Sequence, residues 1–390
     1  MTKGRVLVLG GGFGGVEGAI HLSRAGFDVT LVSERDFAYL YPVSIWIPTG
    51  EIDFDDACLD LLRISSRYRF KLLRGKVTGI DPEGCRVEVD GDRTDSFDFM
   101  LIALGGAKMK PAGVEHTLSI CGRPKDSLEI KKRVEALIAG GGGRIAVGFG
   151  GNPKDPSAVR GGPAFEQVFN LHHFFVKKGW RNSFSLTMFA PMEKPGIRLG
   201  EGAVEKVYDF LNRMKIDRRF GVKITRFEEG GVVFADDSRL ESDLTLFIPA
   251  GTGLPLFREA GLPLNDAGFI RIDPSCRVEG TKRIFAVGDS AAIDGPKWRA
   301  KQGHLAEAMA RVAAANIRAA AAGRDPEENY IDHVSILCVM DYGNGAAVVH
   351  RSTKRSFMVP LPIVGHLLKK SWGLYWKLTK TGRIMRLPGF

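Results

Sequence analysis

Residues 5 to 15 constrain the fold more than any other stretch of this chain. Arg5 to Leu9 is a short apolar run that passes directly into Gly10-Gly11-Gly12-Phe13-Gly14-Gly15, and a helical pattern follows from Val16 to Ala25. An apolar strand, a G-x-G-x-x-G turn and a helix in immediate succession form a dinucleotide-binding fingerprint. Gly10 lets the chain turn tightly, Gly12 lets backbone N–H groups approach a pyrophosphate, and Gly15 lets the helix pack closely on the sheet. The positive end of that helix then faces the phosphates. The next apolar strand, Asp28 to Ser33, ends at Glu34, 19 residues past Gly15, where a carboxylate would hold ribose hydroxyls.

The second half of the chain repeats the first. Arg144 to Gly151 is a counterpart of Arg5 to Gly12. Lys76 to Asp81 and Phe99 to Gly105 have counterparts in Lys223 to Glu228 and Leu244 to Gly251. Two strand–turn–helix units, each followed by a meander, imply two doubly wound α/β domains. Ile284 to Ala291 reads as a buried strand ending in a Gly-Asp turn, and an Ala-rich helix follows from about Gln302 to Ala321. Gly140 to Gly143 reads as a helix C-cap and turn before the second unit's strand. The expected division is 1–115 with 245–322, then 116–244, then a C-terminal region over 323–390.

Composition narrows the setting. With 390 residues, 44% of them apolar, the chain can bury large cores. Five cysteines, at 58, 85, 121, 276 and 338, form no C-x-x-C pair and no zinc spacing, so no metal site is expected. A reducing, cytoplasmic setting fits that usage, and each cysteine also reads as a small buried hydrophobe. Only four residues precede the first strand, so no signal peptide is expected, and no apolar run of about 18 residues announces a transmembrane helix.

The whole pattern resembles the flavoproteins with two dinucleotide-binding domains, the pyridine nucleotide–disulfide oxidoreductase class of glutathione-reductase-like fold. In that resemblance Val287-Gly288-Asp289 is similar to the second FAD motif, whose Asp holds the ribityl chain. Lys301 to Glu307 is similar to the lysine-glycine segment that borders the flavin, and Ala103-Leu104-Gly105 to the turn where the chain leaves the FAD domain. The FAD contacts it implies are Gly10, Gly12, Phe13, Gly14, Gly15, Glu34, Arg35, Pro42, Val77, Ala103, Gly105, Gly288, Asp289, Lys301 and Gly303.

Within that class the residues exclude some branches. Reductases that pass a hydride from flavin to a disulfide need a closely spaced Cys pair, and none is present. Peroxidase and CoA-disulfide types place a Cys shortly after the Glu34-like acid, where this chain has Tyr41 to Trp46 with no thiol. NADH oxidation needs a second phosphate-binding turn, but Gly148-Phe149-Gly150-Gly151 is followed by Asn152-Pro153-Lys154-Asp155-Pro156. A proline pair does not open a helix whose N-terminal amides cradle a pyrophosphate. The helical pattern resumes only after Arg160 to Glu166, and the following strand ends in Ala190-Pro191 rather than an acid.

Loss of the second nucleotide resembles sulfide:quinone oxidoreductases and flavocytochrome c sulfide dehydrogenases. Tyr41 to Gly50 is similar to their proline-and-Trp stretch beside the FAD. Gly161-Gly162-Pro163-Ala164-Phe165-Glu166 resembles their G-P-A-[YF]-E segment, Pro195 to Gly200 matches as well, and Cys121 and Cys338 fall where that family carries cysteines. The resemblance implies redox roles for Cys121 and Cys338, with a further cysteine immediately before the G-P-A segment. There this chain has Arg160, which cannot act as a thiolate nucleophile. Arg160 reads either as a loop salt bridge or as a group over the flavin that stabilises its anionic reduced form or attracts an anionic donor. Cys338 reads equally as a buried strand residue.

The formal net charge of +10 concentrates at the end: residues 351–390 carry nine Lys or Arg and no Asp or Glu. From Val364 the spacing predicts an amphipathic helix, with Val364, Leu367, Leu368, Ser371, Leu374, Tyr375 and Leu378 on one face. His366, Lys369, Lys370, Lys377 and Lys380 fall on the other, with Trp372 and Trp376 near the boundary. With no acid in its polar face, this helix is expected to lie in a membrane interface and meet anionic lipid through its lysines. Nothing else in the chain supports nucleic-acid binding. The expectation is thus an FAD-dependent oxidoreductase, peripheral on the cytoplasmic face of the membrane through residues 357–390. It would pass electrons from a sulfide-like or other small donor to quinone. A type II NADH:quinone oxidoreductase, a soluble flavoprotein serving a protein partner and a redox-sensing binding protein remain alternatives, and oligomeric state stays open.

Overall fold

The computed structural model describes residues 3–387. Its frame is a pair of parallel sheets. In the first, the strands lie in the order Ile284–Ala286, Phe99–Ile102, Arg5–Leu9, Asp28–Ser33, Lys71–Arg74. All four pairings are parallel. The winding direction reverses between Arg5–Leu9 and Phe99–Ile102, and the carboxyl ends of those neighbours therefore open a crevice. Val6 to Leu9 and Met100 to Ile102 have no exposed surface, which is why these strands read as unbroken apolar runs rather than alternating ones.

The second sheet repeats the arrangement with Asp217–Phe220, Phe184–Ala190, Gly143–Phe149 and Leu244–Ile248. Helix Gly162–Lys177 packs on it, and Phe175 stacks on Phe184 with ring centroids 3.9 Å apart. This helix begins earlier than expected, because Pro163 sits in its first turn, where a missing N–H leaves no hydrogen bond unmade. Helix Phe13–Arg24 likewise starts three residues before the apolar pattern does, with Gly12 as its extended N-cap. Two chain crossings, Ala107–Lys108 and Gly251–Thr252, pair antiparallel between the two halves.

After the Ala-rich helix Gly303–Ala321 comes an antiparallel meander, Ile336–Asp341, Gly345–Arg351 and Ser356–Pro362, and then helix Val364–Lys380. The helix is where expected, but its orientation corrects the sequence reading. Lys369 and Lys380 are only 4% and 3% exposed, and Trp376 is buried beside them. Lys369 pairs with Glu166, Lys370 with Glu51, and Lys380 with both Glu17 and Glu307. The acids absent from the helix itself are supplied by distant elements, so these lysines face the protein and not lipid headgroups. Gly365 and Gly373 share that inner face, where a side chain would meet the backbone of Ala346 or the side chain of Val43. The outer face carries Val364, Leu367 and Leu374, 63%, 57% and 59% exposed. Among the described residues no helix is long and apolar enough to cross a membrane.

His366 fastens the start of this helix. Its Nδ1 lies 2.7 Å from Asp341 and its Nε2 2.6 Å from Glu51. The bonds to Asp341 and Glu51 raise the imidazole pKa to about 9. Lys370 also reaches Glu51, and Trp46 Nε1 donates to Asp341, so the ring closes a mixed charged cluster between the helix and the first domain.

Two outcomes follow from this packing. Phe175→Ala removes one ring of a stacked, fully buried pair and is expected to cost about 3–5 kcal/mol in denaturant unfolding. A raised folded-state pKa gives stability that is complete below the ordinary imidazole value and is lost as pH rises through about 9. The thermal midpoint of the wild type should therefore fall more steeply toward alkaline pH than that of His366→Gln; equal slopes would show that the imidazole carries no charge here.

Candidate active site

The crevice at the switch point of the first sheet is built from glycines placed by steric need. Gly10 has φ +105°, and a Cβ there would overlap the carbonyl of Ala103, while one at Gly15 would overlap the carbonyl of Gly10. Gly10 N donates to Val32 O and Ala103 N to Leu9 O, each at 2.8 Å, which locks the turn to both neighbouring strands. Gly14 lies against Val287, where a Cβ would come within 3.1 Å of its Cγ2. At Gly12 nothing lies within 4 Å, and the first turn of the helix carries no acid, so its N-terminal amides open onto free space. That is the shape and charge an anionic pyrophosphate requires.

The other expected contacts surround this opening. Gly288 (φ +63°) begins the short turn Gly288–Ser290 that presents Asp289, and Ser290 Oγ donates to Gly105 O at 3.0 Å. Gly303 opens the Ala-rich helix, again without an acid in the first turn, and a Cβ on it would lie 3.4 Å from the Phe13 ring. Glu34 is exposed just past the end of its strand, and Arg35 lies over the Phe37 ring at 5.5 Å. Pro42 sits in the single turn Tyr41–Ser44 and Val77 at the start of the meander strand Val77–Asp81, both half-buried. The residues present fit FAD: an open space at Gly12, two helix N-termini with no acid in the first turn, and the carboxylates of Glu34 and Asp289.

Arg160, in the loop before helix Gly162–Lys177, ion-pairs with Asp289. The ion pair agrees with the salt-bridge reading of this arginine, and its partner is the residue that resembles the Asp of the second FAD motif. Around it the cations are crowded and partly dehydrated. Burial, with Arg160 acting in the same direction, lowers Lys108 to about 8. Lys301 is buried, bonds the carbonyl of Ala291 and lies 3.9 Å over the Phe269 ring; burial lowers its pKa to about 7.

Cys121 and Cys338 are unpaired thiols. Burial raises Cys121, although Lys108 and Arg160 pull the other way. Burial, helped by Glu166, pushes Cys338 up to about 12. Neither is therefore a ready thiolate at neutral pH. Both feel the charge of Glu166, which is buried and whose pKa burial raises in spite of its pairing with Lys369. Glu166 also accepts a 2.8 Å hydrogen bond from the backbone N of Asp341. Sequence reasoning placed Glu166 in the G-P-A-F-E segment without a role and assigned Lys369 to lipid. Nothing local to either residue signalled the partner.

The second glycine turn differs in length. Between strand Gly143–Phe149 and helix Gly162–Lys177 lie residues 150–161, whereas only residues 10–12 separate strand and helix in the first unit. Asn152 Nδ2 donates to Gly251 O at 2.9 Å, Asp155 caps the short turn Pro156–Ala158, and the helix N-cap Gly161 packs against the ring of Phe149 at the strand end.

The similarities to known proteins agree with this architecture. Residues 4–315 match the family model of pyridine nucleotide-disulphide oxidoreductases. The chain is 27% identical over 364 residues to the sulfide-quinone reductase of Aquifex aeolicus, covering 87% of this chain and 82% of that one. It is 26% identical over 386 residues to the type II NADH:quinone oxidoreductase Ndh of Mycobacterium tuberculosis, covering 88% and 79%. The X-ray structure of the sulfide:quinone oxidoreductase from Aquifex aeolicus superposes with a TM-score of 0.86 at 23% identity, over 97% of this chain and 91% of that one, a likeness of fold. The cofactor is FAD. The chain belongs to the pyridine nucleotide-disulphide oxidoreductase family and is a flavin-dependent oxidoreductase.

Proposed function

We propose that this protein reduces quinone at a membrane surface, taking electrons from a small anionic donor. The observation that carries the reading is the C-terminal helix, whose charged face is bound to the protein and whose apolar face, with Val364, Leu367, Leu368 and Leu374, is left outward. Such a face suits insertion at the acyl boundary beside the flavin domain, where a lipid-soluble acceptor is concentrated. We place it on the cytoplasmic side, a setting that suits five unpaired cysteines.

FAD, when bound, accepts an electron pair from one substrate and releases it to another. Reducing a quinone to a quinol also consumes two protons. Glu166 and Lys369 form a buried ion pair, and burial raises the Glu166 pKa, so the pair is placed to exchange a proton at the inner face of the C-terminal helix.

On the donor side, Arg160 stands where the resembling sulfide enzymes carry a cysteine. A guanidinium stays charged and forms no persulfide, so this position supplies no thiol to sulfur-chain chemistry, and Cys121 is the thiol left to partner Cys338. With Lys108 and Lys301 nearby, Arg160 favours a donor that is itself an anion. The extended loop 150–161 argues against NADH as that donor.

Three measurements test this reading. Gly15→Ala places a methyl on the carbonyl of Gly10 and should lower bound flavin per protein by roughly tenfold or more; retention of the flavin would remove the cradle from the account. Anaerobic titration with sulfide, NADH and small thiols in parallel should show no rapid bleaching by NADH, and fast bleaching would favour the NADH:quinone alternative. Leu367→Glu with Leu374→Glu should abolish vesicle binding and raise the KM for a long-chain quinone while flavin content stays constant. Vesicle binding and KM that survive both substitutions would show that this face is not the membrane contact, and a wild type that ignores vesicles would favour a soluble flavoprotein.

A further inference from the structure

The two helices that frame the FAD cradle each bury one carboxylate, and both carboxylates are bound by the C-terminal tail. Glu17 lies four residues into helix Phe13–Arg24, and Glu307 four residues into helix Gly303–Ala321. Both are buried. Lys380 bridges them, pairing with Glu17 and lying 2.8 Å from Glu307. Arg386 bridges them as well, pairing with Glu17 and lying 3.0 Å from Glu307. Trp376 Nε1 donates to Glu307 at 2.6 Å, and its ring lies 5.2 Å from the ring of Phe13 within the glycine turn. Phe13 in turn lies against Gly303.

The charge balance of this cluster bears on the cofactor. Two carboxylates one turn inside the helices that face FAD oppose the positive N-terminal ends on which an anionic pyrophosphate depends. Within the FAD domain the cations at Glu17 are Arg311, 3.1 Å away, and His21, 3.3 Å away when it is protonated. Lys380 and Arg386 add the two further positive charges. The effect of that neutralisation is visible at Glu17: burial acts to raise its pKa, but the bond to His21 and the charges of Lys380 and Arg386 hold it well below the carboxylate range.

We infer that the C-terminal tail belongs to the flavin-binding machinery: Trp376, Lys380 and Arg386 are positioning residues that neutralise Glu17 and Glu307 and fix the two cofactor helices against each other. This rests on FAD occupying the cradle described above. The coupling is reciprocal, because a contact that favours the bound form of the cradle must itself be favoured when the cradle is filled. FAD then tightens the docking of the tail, and the tail tightens FAD.

The test uses the full chain stripped of flavin and titrated with FAD, read by quenching of flavin fluorescence. Lys380→Met with Arg386→Met should weaken FAD binding by about tenfold or more. Lys380→Arg, which keeps the bridging charge, should bind nearly as the wild type does. Adding Glu17→Gln and Glu307→Gln to the double-Met chain removes the buried charges and should recover most of the affinity, which also separates electrostatic coupling from misfolding. In a second readout, trypsin cleavage at Lys377 or Arg383 of the flavin-free wild type should slow when FAD is added. Failure of the flavin-free wild type to bind FAD would refute the cradle itself. An unchanged FAD affinity in the folded double-Met chain, or tail cleavage indifferent to FAD, would overturn the coupling alone.

Discussion

Burial of the tail's lysines is the constraint on which the rest of the molecule turns. An ammonium group loses several kcal/mol of hydration on entering a protein interior, and it stays charged there only with an opposite charge in contact. Lys369 and Lys380 meet that condition through Glu166, Glu17 and Glu307, three acids that are themselves buried. Each side would be costly without the other. Removing one partner of such a pair strands a buried charge, so the contacts select one orientation of the helix more strongly than they add net stability. That orientation sends the polar face inward and leaves the leucines outside, the reverse of a soluble amphipathic helix.

The consequences reach two separate clusters of buried acids. On one side the tail supplies Lys369 to Glu166, the buried acid that borders Cys338 and the backbone of Asp341. On the other it supplies Lys380 and Arg386 to the helices that hold the cofactor. The same segment is thus tied to the buried acid Glu166 and to the two helices that start at the glycine turn and at Gly303. The exposed face of the helix is apolar at Leu367 and Leu374, while Lys369 and Lys380 are engaged within the protein.

What the sequence shows and what it hides follow from distance along the chain. The first glycine turn is legible because its pattern is contiguous in sequence: Gly15 avoids the carbonyl of Gly10 and Gly12 keeps its surroundings open, although the carbonyl that Gly10 avoids belongs to the distant Ala103. The repeat of the unit at Arg144 and the lengthened second loop are equally visible, because prolines and helix starts are read from neighbours. The polar face of the tail misleads for the opposite reason. Its acids lie 203 residues away at Glu166 and 363 away at Glu17, and a helix read alone shows only uncompensated lysines. Arg160 falls between these cases: its departure from the resembling family is plain in the sequence, but its pairing with Asp289, 129 residues on, is a property of the fold.

The direction in which the tail helix faces can be measured directly by hydroxyl-radical footprinting of the intact protein with and without phospholipid vesicles. The account predicts oxidation of Leu367, Leu368, Leu374 and Met385 in solution, loss of that oxidation on vesicles, and protection of Trp376 in both. Oxidation of Trp376 in solution, with Leu367 and Leu374 protected before any lipid is added, would contradict it.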